Sequence, residues 1–213
     1  MVNWKEYTDD RKRRFCNLHL TCDMESDDIT SIPVIHPFTK DIPKHYIPFN
    51  QAIGCKKYNQ CVHFFIDDYQ FERFWNTPEK YIQILKNFDS VISPDFSVYL
   101  DVPMSVNVWN IYRSRLLANV MQRNGIPVIP NISVVPKELY DVVFSGLPES
   151  DLIAFNNMCV PKGGYLTNWF SFVREAIKRL NPKRVLIYGK QYTISSHQDV
   201  TYIENETIKR LRT

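Results

Sequence analysis

The 213-residue sequence has only six glycines and none of the glycine-rich phosphate-binding motifs. Neither G-x-x-x-x-G-K-[ST] nor G-x-G-x-x-G is present, which disfavours the classical nucleotide-binding loops. The G-x-S-x-G and H-E-x-x-H motifs are absent too, which disfavours α/β-hydrolase and zincin chemistry. No apolar stretch approaches the length of a transmembrane helix, and the opening residues Asn3 to Glu6 do not form an apolar signal core. We therefore expect a cytoplasmic protein with no membrane association.

Cysteine is also scarce and irregularly spaced, with five residues in the chain. An odd number with loose spacing argues against a secreted disulfide framework and favours a reducing compartment. Cys16 and Cys22, and likewise Cys55 and Cys61, are separated by five residues, wider than the usual structural zinc knuckle. The spacing therefore disfavours zinc.

The composition is that of a globular protein, with 44% hydrophobic, 23% charged and 14% aromatic residues. The formal net charge of +3 is too small to indicate nucleic-acid binding by itself. Two basic runs stand out, one from Arg11 to Arg14 and one comprising Lys209, Arg210 and Arg212. Such runs are more often solvated termini than binding arms.

The chain is predicted to form a single α/β domain over residues 1–213. Residues 1–60 are rich in charge and proline and are interpreted as an N-terminal wrap, residues 61–190 as the core, and residues 191–213 as a C-terminal tail. Within the core, five apolar runs are predicted as strands: residues 62–66, 90–93, 126–132, 152–155 and 184–188. Helices are predicted from Pro78 after an N-cap at Thr77, over 105–124, from about Pro136, and over 166–180.

Strands and helices thus alternate, which predicts an α/β fold with a mostly parallel sheet of about five to six strands flanked by helices. Five units are too few for a closed eight-fold barrel. The pattern is compatible with either an open doubly wound sheet or an incomplete barrel.

Polar residues follow each predicted strand, and parallel strands bring their carboxyl ends to one edge of the sheet. Asp67 and Asp95 are the candidate catalytic residues and metal ligands, and Mg²⁺ is the candidate cofactor. The candidate ligand-binding residues at this edge are Asp68, Asn131, Ser133, Asn156 and Lys190. The alternative is that these residues only cap helices and make turns.

Asn110 and Arg113 lie three residues apart on the long helix and therefore share a face. They are candidates for binding an anion at the edge of the sheet. The alternative is that Arg113 pairs with a surface carboxylate.

Four segments resemble a known family: Val62–Tyr81 (VHFFIDDYQFERFWNTPEKY), Ser93–Pro103 (SPDFSVYLDVP), Trp109–Ile132 (WNIYRSRLLANVMQRNGIPVIPNI) and Lys183–Lys190 (KRVLIYGK). The family is an uncharacterised domain of unknown function that occurs in bacteriophages, plasmids and other mobile elements of bacteria. The resemblance covers roughly residues 45–190 and leaves the opening segment and the tail unmatched. It implies a phage or mobile-element origin and carries no established activity.

Two function classes follow from the sequence. The first is a protein that binds a nucleotide, a phosphorylated ligand or a nucleic-acid end at the sheet edge, with metal-assisted hydrolysis or phosphoryl transfer as the candidate reaction. The second is a non-enzymatic accessory protein that binds a host protein or nucleic acid during replication or defence evasion. A scaffold that assembles with its own copies is a third alternative, and the oligomeric state is open.

Overall fold

The computed structural model describes residues 15–149, 151–158, 160, 163–194 and 198–203. The basic runs at the two ends and Cys159 lie outside the described residues. The strands are β1 (Tyr46–Pro48), β2 (Cys61–His63), β3 (Ser90–Ile92), β4 (Val128–Ile129), β5 (Leu152–Asn156), β6 (Arg184–Tyr188) and β7 (Asp199–Ile203). The helices are α1 (Phe49–Ala52), α2 (Asp68–Asn76), α3 (Pro78–Leu85), α4 (Met104–Arg123), α5 (Tyr140–Phe144) and α6 (Gly164–Leu180), with 3₁₀ turns at Leu18–Thr21 and Lys137–Leu139.

All the strand pairs are parallel, and their spatial order follows their order in the chain. One sheet has the order β1-β2-β3-β4 and the other β5-β6-β7. A parallel bridge between Asn131 and Ala154 connects them. There the Ala154 amide donates to the Pro130 carbonyl at 2.8 Å, and the Ile132 amide donates to the Ala154 carbonyl at 3.0 Å. The two sheets thus continue each other through β4 and β5.

The predicted α/β class with parallel strands and flanking helices is confirmed. The strand order runs without the reversal that marks a doubly wound sheet, so the arrangement is that of an incomplete barrel. Within the described residues, no strand pairing joins β7 back to β1. The number of strands is seven in this part of the chain, more than the predicted five to six, because β1 and β7 are additional.

Side chains alternate between two buried faces along the strands. In β6, Leu186 and Tyr188 belong to an inner cluster that both sheets share, while Val185 and Ile187 pack on the helix side. In β2, Cys61 faces the inner cluster and Val62 faces the helices. Because β5 and β6 are buried on both faces over most of their length, their sequences are largely continuous apolar runs and not alternating ones.

Each predicted helix is present, but α1 and α2 were not predicted, and one predicted cap differs. The helix predicted over 105–124 is α4, and Gly125 follows it with φ +80°, as expected of a helix-ending glycine. Thr77 precedes α3, but its hydroxyl donates back to the Arg73 carbonyl at 3.1 Å and does not cap α3. The predicted N-cap interaction at Thr77 is therefore wrong, because the end of α2 takes up the hydroxyl.

The segment before β1 contacts the helical layer through its backbone. The Ile35 amide donates to the Gly146 carbonyl at 3.0 Å, and Asn119 of α4 donates to the Val34 carbonyl at 2.7 Å. Ser26 and Pro33 form an isolated antiparallel bridge within this proline-rich stretch. In the described part of the chain, no helix combines the length and apolarity needed to cross a bilayer.

Candidate functional site at the carboxyl ends of the strands

The carboxylate of Asp95 lies just beyond β3 and accepts hydrogen bonds from three neighbouring side chains. Asn131 donates through Nδ2 to Oδ1 at 2.7 Å, and Ser133 donates its hydroxyl to the same oxygen at 3.0 Å. Asn156, the last residue of β5, donates through Nδ2 to Oδ2 at 3.1 Å. We call these four residues the rim cluster. The parallel strand order produces it, because β3, β4 and β5 all end at this edge.

The backbone around the rim cluster is held in turn by further hydrogen bonds. The Ser93 hydroxyl accepts the Asn131 amide at 2.8 Å, and the Trp169 indole donates to the Asn156 carbonyl at 3.1 Å. The Asn156 side-chain oxygen accepts the Met158 amide at 2.9 Å. The amide group of Asn156 is therefore oriented at both ends.

Asn131 is the unsatisfied member of the rim cluster. The residue is only 4% exposed, and its Oδ1 is buried with no hydrogen-bond partner in the described part of the chain. The orientation of its amide follows from chemistry, because a flipped group would place two oxygens against each other. A buried acceptor without a partner is costly, so a ligand donor or a water at this atom would stabilise the site.

Burial dominates the electrostatics of Asp95. Loss of solvation raises the pKa of its carboxyl above the ordinary value, and the negative charge of Asp68 raises it further, while the three hydrogen bonds act in the opposite direction. A carboxyl in this environment is a fixed acceptor. Its raised pKa makes it a candidate for exchanging a proton with a bound hydroxyl or amine.

The two aspartates after β2 differ in their surroundings. Asp68 begins α2 and accepts the Ser97 hydroxyl at 2.8 Å and the Ser97 amide at 3.1 Å. Asp67 is exposed and accepts a 3.4 Å hydrogen bond from Gln70, three residues along. Of the two, Asp68 is the aspartate whose charge raises the pKa of Asp95. The metal-ligand role of Asp67 and Asp95 stays a prediction.

Asn110 and Arg113 support the loop after β3. Asn110 donates to the Ser97 carbonyl at 2.6 Å, and its oxygen accepts from Arg113 at 2.7 Å. Arg113 also pairs with Glu72 at 2.8 Å and lies 3.8 Å from the Phe96 ring centroid. The structure therefore places both residues in a network that positions residues 96–97, as the carboxylate-pairing alternative anticipates for Arg113. Their binding of an anion stays a prediction.

Lys190 follows β6 and is linked to the rim through its backbone. Its amide donates to the Asn157 side-chain oxygen at 2.7 Å, and its carbonyl accepts from the same side chain at 2.8 Å. Gly189, the residue before Lys190, has φ +125°. A Cβ added there would lie 2.2 Å from the side-chain oxygen of Asn157. The Lys190 side chain is exposed, so its role as a ligand also stays a prediction.

Sequence reasoning missed His63, which ends β2 and is buried on the inner face. Its Nδ1 accepts the Phe65 amide at 3.3 Å, which places the proton of the neutral ring on Nε2. Its ring centroid lies 4.8 Å from that of Tyr188, and burial lowers the pKa of His63 to about 3. The available signal was its position, two residues after Cys61 and so on the same face of the strand.

The rim cluster as a whole presents hydrogen-bonding groups and not a set of several acidic, His or Cys side chains that could hold a metal. Among the described residues, no group of three or more His, Cys, Asp or Glu side chains is arranged to hold a metal ion. Two of the four rim side chains are amides that point their N–H groups at the carboxylate. Asp95 and Asn131 Oδ1 are placed to accept hydrogen bonds from hydroxyl or amino groups.

Comparison with known proteins identifies the family. The domain of unknown function DUF4417 matches residues 24–206. The chain belongs to this family. All four rim residues lie within the match, and so do β1 and β7. The resemblance predicted for residues 45–190 is confirmed. The family match begins earlier, at residue 24, and ends later, at residue 206, so it includes parts of the opening segment and of the tail.

Two relatives of this DUF4417 chain come from bacteriophages, which confirms the predicted phage relationship. The Gene 1 protein of Mycobacterium phage L5 is 31% identical over 181 residues, covering 83% of this chain and 79% of the relative. The Gene 1 protein of Mycobacterium phage D29 is 30% identical over 186 residues, covering 83% and 67%. No solved structure matches the chain.

Proposed function

We propose that this DUF4417 protein binds the nucleoside part of a nucleotide at the rim cluster. The observation that supports the proposal most directly is the unpartnered, buried Oδ1 of Asn131 beside the Asp95 carboxylate. Sugar hydroxyls and base amino groups are donors that these two acceptors would satisfy. The chain position also supports a ligand site, because ligands of parallel α/β proteins bind at the carboxyl ends of the strands.

The rim cluster fits a sugar or a base better than a phosphate. Its members contribute one acidic group, two amides and a hydroxyl, and no cationic side chain hydrogen-bonds to any of them within the described residues. Phosphate sites, by contrast, rely on Arg, Lys or several backbone N–H groups. Unphosphorylated nucleosides are therefore the sharpest probes.

The test is calorimetric titration of adenosine, guanosine, cytidine and uridine into the wild-type protein. We expect at least one to bind, and Asp95→Asn and Asn131→Ala to weaken it by about tenfold or more, which corresponds to about 1.4 kcal/mol. Asp101→Asn, an exposed acid in the loop before α4, is the matched control and should bind as the wild type does. Circular dichroism establishes that each variant is folded.

The proposal fails if no nucleoside binds the wild-type protein, or if the rim variants bind as well as the control. Parallel titrations in MgCl₂ and in EDTA test the metal prediction. Binding that needs Mg²⁺ and is weakened by Asp67→Asn would support the role of Asp67 and Asp95 as ligands. Equal binding in both buffers would count against it.

A further inference from the structure

A separate cleft of about 600 Å³ lies where the two outermost strands, β1 and β7, approach the end of β2. Its walls include Tyr46 of β1, His63 of β2, Tyr188 of β6 and Ile203 of β7, with Lys44 and Lys57 at the surface. We call it the seam cleft. Its volume lies in the usual range for small-molecule sites.

The charge of the seam cleft has one sign. None of its lining residues is Asp or Glu, whereas Lys44 and Lys57 contribute two positive charges. Both lysines are exposed, and neither forms an ion pair within the described residues. Two unpaired cations at the mouth of a cleft without acidic residues favour an anionic ligand.

The walls of the seam cleft are aromatic as well as polar. Tyr46 is partly exposed, and Tyr188 is stacked on Phe65 with ring centroids 4.8 Å apart. The Tyr46 hydroxyl is buried and lacks a hydrogen-bond partner among the described residues. Aromatic faces next to cations are the combination that binds nucleotides, because bases stack on the rings while phosphates contact the lysines.

We propose that the seam cleft binds a nucleotide, with the phosphate at Lys44 and Lys57 and the base against the tyrosine rings. The nucleotide is either free or the terminal unit of a single-stranded nucleic acid, since both present the same chemistry. This site is distinct from the rim cluster and stands without the proposed function.

The test measures binding of inorganic pyrophosphate, AMP and a fluorophore-labelled oligothymidine of about ten nucleotides, a length within the usual site size of single-strand binders. The double variant Lys44→Gln/Lys57→Gln should weaken all three by about tenfold or more. The control Lys56→Gln/Lys86→Gln removes the same charge from exposed lysines outside the cleft and should remain within about twofold of wild type.

A second variant separates base from phosphate. Tyr46→Leu removes one ring of the wall and should weaken AMP while leaving pyrophosphate unchanged. An oligothymidine that binds more tightly than AMP, and loses affinity with added salt, identifies a strand end as the source, whereas equal affinities identify the free nucleotide.

Several results would overturn the inference. One is that neither pyrophosphate nor AMP binds, and another is that the cleft variant and the lysine control lose affinity equally. A third is that Asp95→Asn abolishes pyrophosphate binding while the cleft variant retains it, because the phosphate would then lie at the rim. Failure of all four nucleosides to bind at the rim, by contrast, would overturn the proposed function and leave this inference standing.

Discussion

Polar side chains at the carboxyl ends of the strands are buried next to apolar ones, and each is held by specific partners. Ser93, Asn131 and Asn157 are all less than 5% exposed. Burying a polar group without a partner costs about 1–3 kcal/mol, so such residues are retained only where hydrogen bonds or a ligand compensate. Asn157 is compensated by the Lys190 backbone, whereas Asn131 keeps a free acceptor.

His63 should make the stability of the protein depend on pH. Burial lowers its pKa from 6.5 to about 3, so the unfolded chain binds a proton below about pH 6.5 that the folded protein does not. The stability contribution is complete above pH 6.5 and is lost as the pH falls toward 3. Between about pH 7 and about pH 5, we expect a loss of about 2 kcal/mol from this residue.

Urea unfolding of the wild type and of His63→Asn at several pH values isolates the contribution. The asparagine oxygen can still accept the Phe65 amide, but the side chain does not titrate. Other ionisable groups change both proteins alike, so the difference between the two free energies of unfolding reports His63 alone. A difference that does not vary between about pH 7 and about pH 5 would mean that His63 is not buried as described.

At the scale of secondary structure, apolar runs were predictable and short edge strands were not. β5 and β6 are five residues long and were predicted to within one residue, because strands buried on both faces are apolar throughout. β1 has three residues and ends at Pro48, and β7 has the sequence Asp-Val-Thr-Tyr-Ile, which mixes polar and apolar positions. β1 and β7 are strands because they pair with β2 and β6, and their local sequences do not encode this pairing.

The sequence grouped the four rim residues together, but it also grouped Asp67, Asp68 and Lys190 with them, and the structure gives these three other hydrogen-bond partners. Asp95, Asn131, Ser133 and Asn156 follow three consecutive strands, so the parallel arrangement was enough to group them. Which aspartate after β2 would face them depends on where α2 begins, and the helix from Asp68 was not predicted. Asn107 of α4, which holds the neighbouring loop, was not singled out in the sequence, and Asn110 was predicted to bind an anion and not to hold this loop.

The attachment of the opening segment depends on Gly146, which follows α5. Its φ is +67°, and an added Cβ would lie 2.4 Å from the Pro33 carbonyl oxygen. Gly125, after α4, has φ +80° but no atom within 4 Å of its added Cβ. Gly125→Ala should therefore cost only the backbone penalty of about 1–2 kcal/mol. Gly146→Ala should cost a further 1–3 kcal/mol, roughly, because the backbone of residues 32–33 must move.

Urea unfolding of both alanine variants measures this difference, and hydrogen exchange locates it. In Gly146→Ala, the Ile35 amide should lose protection, because its acceptor is the Gly146 carbonyl. Equal destabilisation by the two substitutions would show that residues 32–33 do not approach Gly146 closely.

At the scale of the whole molecule, the two sheets are joined by little backbone hydrogen bonding and by a shared apolar interior. Within the described residues, the only backbone pairing between the two sheets is the bridge at Asn131 and Ala154. The inner cluster, however, contains Cys61 and Ile92 from the first sheet together with Leu152 and Leu186 from the second. Burial of apolar surface is the larger stabilising contribution in folding, so the shared interior should decide the cooperativity.

We therefore predict that the two sheets unfold as one unit. The amides of Ile132 and Ala154 form the bridge, and opening it requires the sheets to separate. Native-state hydrogen exchange should give these two amides the same opening free energy as the Leu186 amide inside β6, equal to the global free energy of unfolding. Bridge amides that exchange at a clearly lower free energy than Leu186 would mean that the sheets separate first.

If the sheets separate first, the rim cluster would open before the protein unfolds, because Asp95 and Asn131 lie on one side of the bridge and Asn156 lies on the other. Ligand binding would then close the cluster. A nucleoside bound at the rim should then raise the protection of Ile132 and Ala154 selectively, whereas in a cooperative molecule it should raise the protection of all three amides equally.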